Sequence, residues 1–350
     1  MIRQIARLSR TLPAFSDKAV AIAVYADSRG DYVIAQEAGF EGVACIDDAA
    51  RAFNLFCAIW RSTGLPWAKQ WCDGLLDFIL AMQRDDGQWF NFISDWDGSI
   101  NRESRTSLAG GHFWQARAMF ALARARTLFD DPRIEDALRR GTAPLIEVAA
   151  PSDVRALHVL TAIELRDHDD FWTPNVVNWC NEIAECNDQG MLMNSPDERD
   201  TPHLWGHLQE FALTKASVIL NEHRLLEVAE RSASIIFEDV IRSGFERPQT
   251  SAYDVASSVA AMSEFAEVTK DPKYEDLATL ARRWFHGRNP ASAPVYDVDL
   301  GLVADGIDEG RISKNSGAES NIEGAIALLA ETIERSRSFD FKAISPWGPA

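Results

Sequence analysis

The chain has 350 residues, of which 46% are hydrophobic, and this fraction supports a substantial folded core. Its formal net charge of -18 is offset by no basic stripe, which argues against nucleic acid or an anionic membrane surface as a partner. No stretch approaches the length of uncharged apolar sequence that a membrane span needs. The first residues, MIRQIARLSRTLPAF, lack the apolar centre of a signal peptide, so we expect a cytoplasmic protein.

Apolar residues recur at helical spacing along much of the chain. One stripe combines Ala52, Leu55, Phe56 and Ile59, and comparable stripes follow along the chain. Several predicted helices, such as RALHVLTAIEL, are apolar on more than one face, which is typical of a helix buried between others. The pattern therefore predicts two layers of helices.

Tight turns punctuate these helices, and four of them place a proline where a helix begins. The prolines are Pro66, Pro132, Pro174 and Pro272. A fifth turn, VILNEHRLLEV, has no proline but falls at the expected interval. Strand signals are weak, with short candidates only at 20–25 and 295–298.

Connections of two lengths alternate along the chain. Short turns join the helices of a pair, whereas long connections occupy residues 85–111, 188–206 and 287–317. Long loops on one side of a helical array are where a site is usually built. We predict an all-α fold, an (α/α) toroid of about five to six helical hairpins, with about eleven or twelve helices. A single domain is expected over residues 1–350, with its core at about 40–337.

The five cysteines form no CxxC pair and leave one over, so no disulfide framework is predicted. Cys180 and Cys186 lie too far apart for a compact zinc knuckle. The spacing His203-x-x-x-His207 would suit a metal, but no glutamate lies between the two histidines. We therefore expect five buried thiols, no metal site and no cofactor.

Two blocks of sequence resemble a known family. The stretch from WFHGRN at Trp284 through VYDVDLGLVADGI to ISKNSGAES at Ser320 resembles the end of a six-hairpin glycosidase-like domain. Such domains are found fused or adjacent to bacterial glycosyltransferases. The early CIDDAARAF, Cys45 to Phe53, resembles the aspartate pair of the same family. The resemblance implies an α/α-toroid fold, an oligosaccharide or sugar substrate and a glycosyltransferase partner.

The aspartate pair, Asp47 and Asp48, has a structural interpretation and a catalytic one. In the first, Asp47 caps a helix and pairs with Arg51 at i+4, while Asp48 lies in the first turn. In the second, adjacent carboxylates at the mouth of an inner helix hold and deprotonate a water molecule. Glycosidases of similar architecture place a base aspartate early in the chain, and this analogy favours the second interpretation.

Glu319 is the matching acid candidate, within the NSGAES block that follows the longest connection. Glu323, one helical turn later, would support it or simply be exposed to solvent. The local alternative is that Ser316 and Ser320 form capping boxes with these two glutamates.

Aromatic and charged residues are interleaved in the loops, and this mixture is typical of a sugar-binding site. The predicted catalytic residues are Asp47, Asp48 and Glu319. The residues predicted to bind substrate are Arg51, Trp89, Trp96, Arg102, Arg105, His112, His203, Trp205, Tyr253, Asp254, Asn315 and Glu323.

The sequence thus predicts a glycoside hydrolase acting on an oligo- or polysaccharide, with the base and acid carboxyl groups about 6.5–9.5 Å apart. Two other functions stay open. A sugar epimerase or lyase would require His112, His203 or Tyr253 to converge beside the substrate. A non-catalytic carbohydrate-binding or scaffold module would have its carboxylates engaged by arginines.

Overall fold

The computed structural model describes residues 1–27, 29, 31–33, 41–108, 110, 112–166, 170–198, 200–338 and 345–347, without the side chain of His112. The helices of these residues are α1 (Ile2–Leu8), α2 (Ile46–Thr63), α3 (Pro66–Ala81), α4 (His112–Arg126), α5 (Pro132–Glu147), α6 (Ser152–Arg166), α7 (Trp172–Glu185), α8 (Gln209–Leu220), α9 (His223–Ile236), α10 (Glu238–Arg242), α11 (Ala252–Thr269), α12 (Pro272–Arg282), α13 (Ala318–Ala327) and α14 (Leu329–Ser336). A short 3₁₀ helix follows α12 at Arg283–His286.

The strands are two or three residues long and lie between the helices. They are β1 (Ser9–Thr11), β2 (Val20–Ile22), β3 (Tyr25–Ala26), β4 (Tyr32–Val33), β5 (Ala44–Cys45), β6 (Phe92–Ile93), β7 (Asn187–Asp188), β8 (Met191–Leu192), β9 (Gln249–Ser251), β10 (Tyr296–Asp297), β11 (Leu302–Val303), β12 (Gly306–Asp308) and β13 (Arg311–Ile312). All their pairings are antiparallel within the described residues. The all-α class is confirmed.

One compact unit comprises residues 1–148, 296–305 and 313–350. Its hairpins are α2/α3, α4/α5 and α13/α14, and both α4 and α13 pack against α2. The core includes Phe56 stacked on Trp71 at 4.7 Å, and the sulfur atoms of Cys57 and Cys72 lie 3.5 Å apart between α2 and α3. The small strand pairs β1–β2, β3–β4, β5–β6 and β10–β11 connect these helices.

The second compact unit comprises residues 149–295 and 306–312. Its hairpins are α6/α7, α8/α9 and α11/α12, and α8 packs against both α6 and α11. A three-stranded sheet of order β13-β12-β9 leads into α11, which begins with a capping box of Ser251 and Asp254. In each unit, therefore, the first helices of successive hairpins pack on one another, which is the two-layer arrangement that the sequence predicts. That the two units form one domain stays a prediction.

The prolines begin helices as expected. Pro66, Pro132 and Pro272 occupy the first position of α3, α5 and α12, where a missing N–H costs no helical hydrogen bond, and Pro174 is the third residue of α7. The described residues contain six hairpins and fourteen helices, so the helix count exceeds the expected eleven or twelve. Among the helices that sequence periodicity did not single out are α1, in the basic first segment, and the five-residue α10.

The structure also bears on the cysteines and on membrane-spanning helices. Four cysteines are buried, but Cys186 is only partly so, which corrects the prediction of five buried thiols. Within the part of the chain that the structure describes, no helix has both the length and the apolar character needed to cross a membrane.

Candidate functional site

The first turn of α2 carries the aspartate pair. Cys45 is the N-cap, in extended conformation, and its sulfur accepts a weak hydrogen bond from the Asp48 N–H. The prediction that Asp47 is the N-cap is therefore wrong. Strand β5 pairs with β6 immediately before the helix, and the Asp47 N–H donates to Oδ1 of Asn91 at 3.2 Å. Both aspartates thus lie in the first turn of a well-anchored helix start.

Arg51 connects the two sequence blocks that resemble the glycosidase-like family. Its Nη2 donates to Oδ1 of Asp48 at 2.7 Å, and its Nη1 donates to Oε2 of Glu319 at 2.9 Å and to Oε1 of Glu323 at 3.2 Å. Glu319 lies 268 residues away in sequence. A buried guanidinium group that serves three carboxylates fixes α13 against α2.

Asp47 does not pair with Arg51 through its carboxylate, which corrects the predicted i+4 ion pair. Arg51 donates instead to the Asp47 backbone carbonyl, through Nε at 3.3 Å. The Asp47 carboxylate forms an ion pair with Nη1 of Arg117 at 2.8 Å. Arg117 belongs to α4 and is itself buried, with its guanidinium group 4.7 Å from the centre of the Phe113 ring.

We call Asp47, Asp48, Glu319 and Glu323 the carboxylate cluster. Its members differ in their access to solvent: the side chain of Glu319 is 46% exposed and that of Asp47 is 21% exposed, whereas those of Asp48 and Glu323 are 2% and 7% exposed. Only Glu319 and Asp47 can therefore meet a ligand without rearrangement.

The two buried members have carboxyl pKa values that burial raises towards neutrality. Burial raises the pKa of Asp48 to about 6, although the positive charge of Arg51 opposes the rise. Burial likewise raises the pKa of Glu323 to about 7, again against Arg51 and with a contribution from the charge of Glu319. The cluster therefore has groups that take up and release protons in the range where acid–base catalysis operates.

Polar side chains around Glu319 hold the start of α13 in place. Neither predicted capping box forms, because Ser316 Oγ donates to the Val303 carbonyl and Ser320 Oγ donates to Oδ1 of Asp305. Asn321 accepts from the Val303 N–H at 2.9 Å and donates to the Gly317 carbonyl at 2.8 Å. Most of the polar side chains of the NSGAES block thus hold the start of α13 in place.

Gly317, the N-cap of α13, is required by a close approach of backbone. A Cβ atom added at this position would lie 2.6 Å from the carbonyl oxygen of Val24. The next residue, Ala318, donates its N–H to the same oxygen at 2.9 Å. A side chain at position 317 would therefore push the helix, and Glu319 with it, away from its present place.

The predicted substrate-binding tryptophans of the first unit are both at least partly buried. Trp89 is fully buried and donates Nε1–H to the Ile79 carbonyl, so it offers no face to a ligand and its predicted role is corrected. Trp96 is half-buried and packs with Tyr32 under the guanidinium group of Arg10.

The remaining residues of this unit vary in exposure. Arg102 and Arg105 are exposed, with the Arg102 guanidinium group 4.8 Å from the centre of the Phe90 ring. Asn315 is exposed, and its carbonyl accepts from the Asp305 N–H at 2.9 Å. His112 begins α4, but its side chain lies outside the described residues.

The second unit contains a separate polar group. His203 stacks on the exposed Trp205 with ring centroids 3.8 Å apart, and its Nε2 lies 3.7 Å from a carboxylate oxygen of Asp153. Burial lowers the pKa of His203, which favours the neutral imidazole at pH 7. Tyr253 and Asp254 are buried, and Asp254 accepts from the N–H and the hydroxyl of Ser251 as part of the capping box.

His207, which follows His203 and Trp205 in the sequence, is completely buried. Its two ring nitrogens face Oδ1 of Asn194 at 2.6 Å and the carboxylate of Glu210 at 3.0 Å. Glu210 also accepts from the Ser232 hydroxyl at 2.6 Å. The contact between His207 and Glu210 joins the loop that carries Trp205 to the start of α8.

Sequence reasoning missed three residues of these groups: Arg117, Asp305 and Glu210. Arg117 had a detectable signal, since a lone arginine in the apolar helix HFWQARAMF must be paired once it is buried. Asp305 and Glu210 had none, because their partners are set by the tertiary fold.

Comparison with known proteins gives a fold and no family. No family model matches the chain, and no curated protein matches it. A sugar epimerase from a ruminal bacterium has a similar solved structure, with a TM-score of 0.67 at 11% identity, covering 96% of this chain and 99% of that one.

Two further solved structures are similar over most of their length. A cellobiose 2-epimerase from Spirochaeta thermophila gives a TM-score of 0.64 at 12% identity, covering 87% of this chain and 90% of that one. A GH76A alpha-1,6-mannanase from a Salegentibacter species gives 0.63 at 11% identity, covering 94% and 96%. The chain thus has the (α/α)-toroid fold, as predicted from its hairpins.

Proposed function

We propose that this protein is a carbohydrate-active enzyme, and specifically a glycoside hydrolase that uses Glu319 and Asp47 as its reacting carboxyl groups. One observation carries the proposal: Arg51 binds Asp48, Glu319 and Glu323 together, so both family-like blocks meet at one partly open site. The similar solved structures are those of two sugar epimerases and a mannanase, which supports the substrate class.

Exposure divides the roles among the carboxylates. Glu319, the most exposed, is the candidate acid that protonates the leaving oxygen, and Asp47 is the candidate base that orients a water molecule. The side chain of Asp48 is only 2% exposed and is bound to Arg51, so it is a poorer candidate than Asp47 for contact with water. The sequence-based choice between Asp47 and Asp48 therefore becomes Asp47 in this proposal.

The buried members supply the proton. Glu319 and Glu323 share Nη1 of Arg51, and the pKa of Glu323 is raised to about 7 by burial. A proton held by Glu323 is therefore available beside Glu319 at neutral pH. With Glu323 protonated, three carboxylates against two guanidinium groups still leave the site negative, which stabilises the positive charge of an oxocarbenium-like transition state.

The test is binding and turnover measured together. Wild type, Glu319→Gln and the control Glu334→Gln, an exposed change on α14, are screened against oligosaccharides that include cellobiose and α-1,6-mannobiose. Binding is followed by thermal shift and turnover by release of reducing ends. We expect Glu319→Gln to lose about 10²–10⁴-fold in turnover while still binding, and the control to behave as wild type.

Unchanged turnover in Glu319→Gln would remove Glu319 from the reaction. Binding without turnover in every variant would favour the non-catalytic module instead. That alternative predicts carboxylates engaged by arginines, and Arg51 and Arg117 do engage all four. The glycosyltransferase partner implied by the sequence resemblance stays a prediction.

A sugar epimerase or lyase is the second candidate, and the pair of His203 and Trp205 favours it. A neutral imidazole beside Asp153 can accept a proton from a sugar carbon, while the exposed indole ring offers an apolar face. The same panel in deuterated water decides the matter. Deuterium at carbon without release of reducing ends, lost in His203→Ala, would establish epimerisation, and a new carbon–carbon double bond would establish lyase activity.

A further inference from the structure

We propose that Asp305 is a further substrate-binding residue of the carboxylate cluster, whose Oδ2 atom accepts a hydrogen bond from a hydroxyl group of the bound sugar. This inference rests on the proposed function for the class of ligand, a carbohydrate. It concerns a residue outside the predicted catalytic and substrate-binding sets.

Asp305 is tied to the helix that carries Glu319. Its Oδ1 accepts from the Gly317 N–H at 2.7 Å and from the Ser320 hydroxyl at 2.8 Å. Its own N–H donates to the Asn315 carbonyl at 2.9 Å. Since Gly317 and Ser320 flank Glu319 in sequence, Asp305 and Glu319 lie at the same end of α13.

The second carboxylate oxygen is not used by the fold. Among the residues that the structure describes, every hydrogen bond to the Asp305 side chain goes to Oδ1, and none goes to Oδ2. The residue is neither exposed nor fully buried. A carboxylate oxygen in such a position accepts readily from a donor that arrives with a ligand, and sugar hydroxyl groups are such donors.

Electrostatics supports this position for Asp305. Burial raises its pKa, and the charge of Glu319 adds to the rise, against the hydrogen bonds from Gly317 and Ser320. An amide at this position would satisfy both donors of α13 through its oxygen, without repelling Glu319. Anchoring of the helix therefore does not require the second oxygen, and a hydroxyl group of the ligand gives it a partner.

The substitution Asp305→Asn separates the two oxygens. The amide oxygen keeps the acceptor for Gly317 and Ser320, whereas the amide nitrogen in place of Oδ2 can no longer accept from a sugar hydroxyl. The control Ser320→Ala does the reverse, since it removes one hydrogen bond to Oδ1 and leaves Oδ2 intact. Affinity for cellobiose and α-1,6-mannobiose is measured by calorimetry, with melting temperature recorded in parallel.

We expect Asp305→Asn to weaken binding by about 10- to 100-fold, the loss for a hydrogen bond to a charged acceptor, with little change in melting temperature. Ser320→Ala should lower the melting temperature and leave the affinity nearly unchanged. Deoxygenated analogues of the sugar that binds then identify the hydroxyl group. The analogue lacking it should bind wild type and Asp305→Asn equally.

The outcomes separate this inference from the hydrolase proposal. If wild type binds a sugar without turnover, the hydrolase proposal is wrong. The affinity of Asp305→Asn for that sugar still tests whether Asp305 binds it. Turnover by wild type with equal affinity and equal KM in Asp305→Asn overturns the role of Asp305 alone. Failure of wild type to bind any sugar of the panel overturns it as well.

Discussion

The change Glu323→Gln should stabilise the protein at alkaline pH and leave it nearly unaltered in acid. Burial raises the pKa of Glu323 from its ordinary 4.5 to about 7. The folded state therefore holds this proton more tightly than the unfolded state does. Its contribution to stability is complete below about pH 4.5 and is lost as the pH rises through 7.

The size of this stability difference follows from the raised pKa of Glu323. A pKa unit is worth about 1.4 kcal/mol, so ionised Glu323 costs the folded state about 3 kcal/mol at pH 8. Glutamine has no proton to lose, and its amide oxygen still accepts from Arg51. The difference in unfolding free energy between variant and wild type should therefore grow from near zero at pH 4.5 to about 3 kcal/mol at pH 8.

Urea unfolding followed by tryptophan fluorescence at several pH values measures this difference. The control is Glu267→Gln on α11, the same chemical change at a side chain that is 78% exposed. A difference for Glu323→Gln that is independent of pH would refute the reasoning. So would a variant less stable than wild type at pH 8, because the charge of Glu323 would then be stabilising.

Three further changes test the packing around the cluster and the second unit. Arg51→Met should cost about 3–5 kcal/mol at pH 7 by leaving buried carboxylates unpaired, with less loss at pH 5, and a loss below 1 kcal/mol in urea unfolding would contradict the ion-pair account. Gly317→Ala should lower stability by about 1–3 kcal/mol because of the contact with the Val24 carbonyl, whereas an unchanged melting temperature would show that α13 shifts freely. Ser251→Ala should cost about 0.5–2 kcal/mol by removing the capping box of α11, as thermal unfolding would show.

The helical hairpins were predictable because they are encoded locally. Pro66, Pro132 and Pro272 mark helix starts through a fixed φ angle and a missing N–H, and both properties act within one residue. The short strands had no such signal. A pair such as β7–β8 has two residues on each side, too few to show alternation of apolar and polar residues.

The partners within the cluster were less predictable than its members. Spacing along a helix favours a pair between Asp47 and Arg51, yet the guanidinium group turns to Asp48 and to Glu319. A contact across 268 residues leaves no trace in local spacing. Trp89 shows the converse, since an aromatic residue in a polar loop suggests a binding surface while the fold buries it completely.

The first unit is discontinuous in the chain, and this has a consequence for synthesis. Arg51 is made early, whereas Glu319 and Glu323 leave the ribosome only after the whole second unit has been translated. Until then the guanidinium group of Arg51 has Asp48 as its carboxylate partner, and the face of α2 that later meets α13 is uncovered. The nascent chain therefore exposes this face of α2 while about 270 further residues are synthesised. During such an interval, binding by chaperones competes with folding.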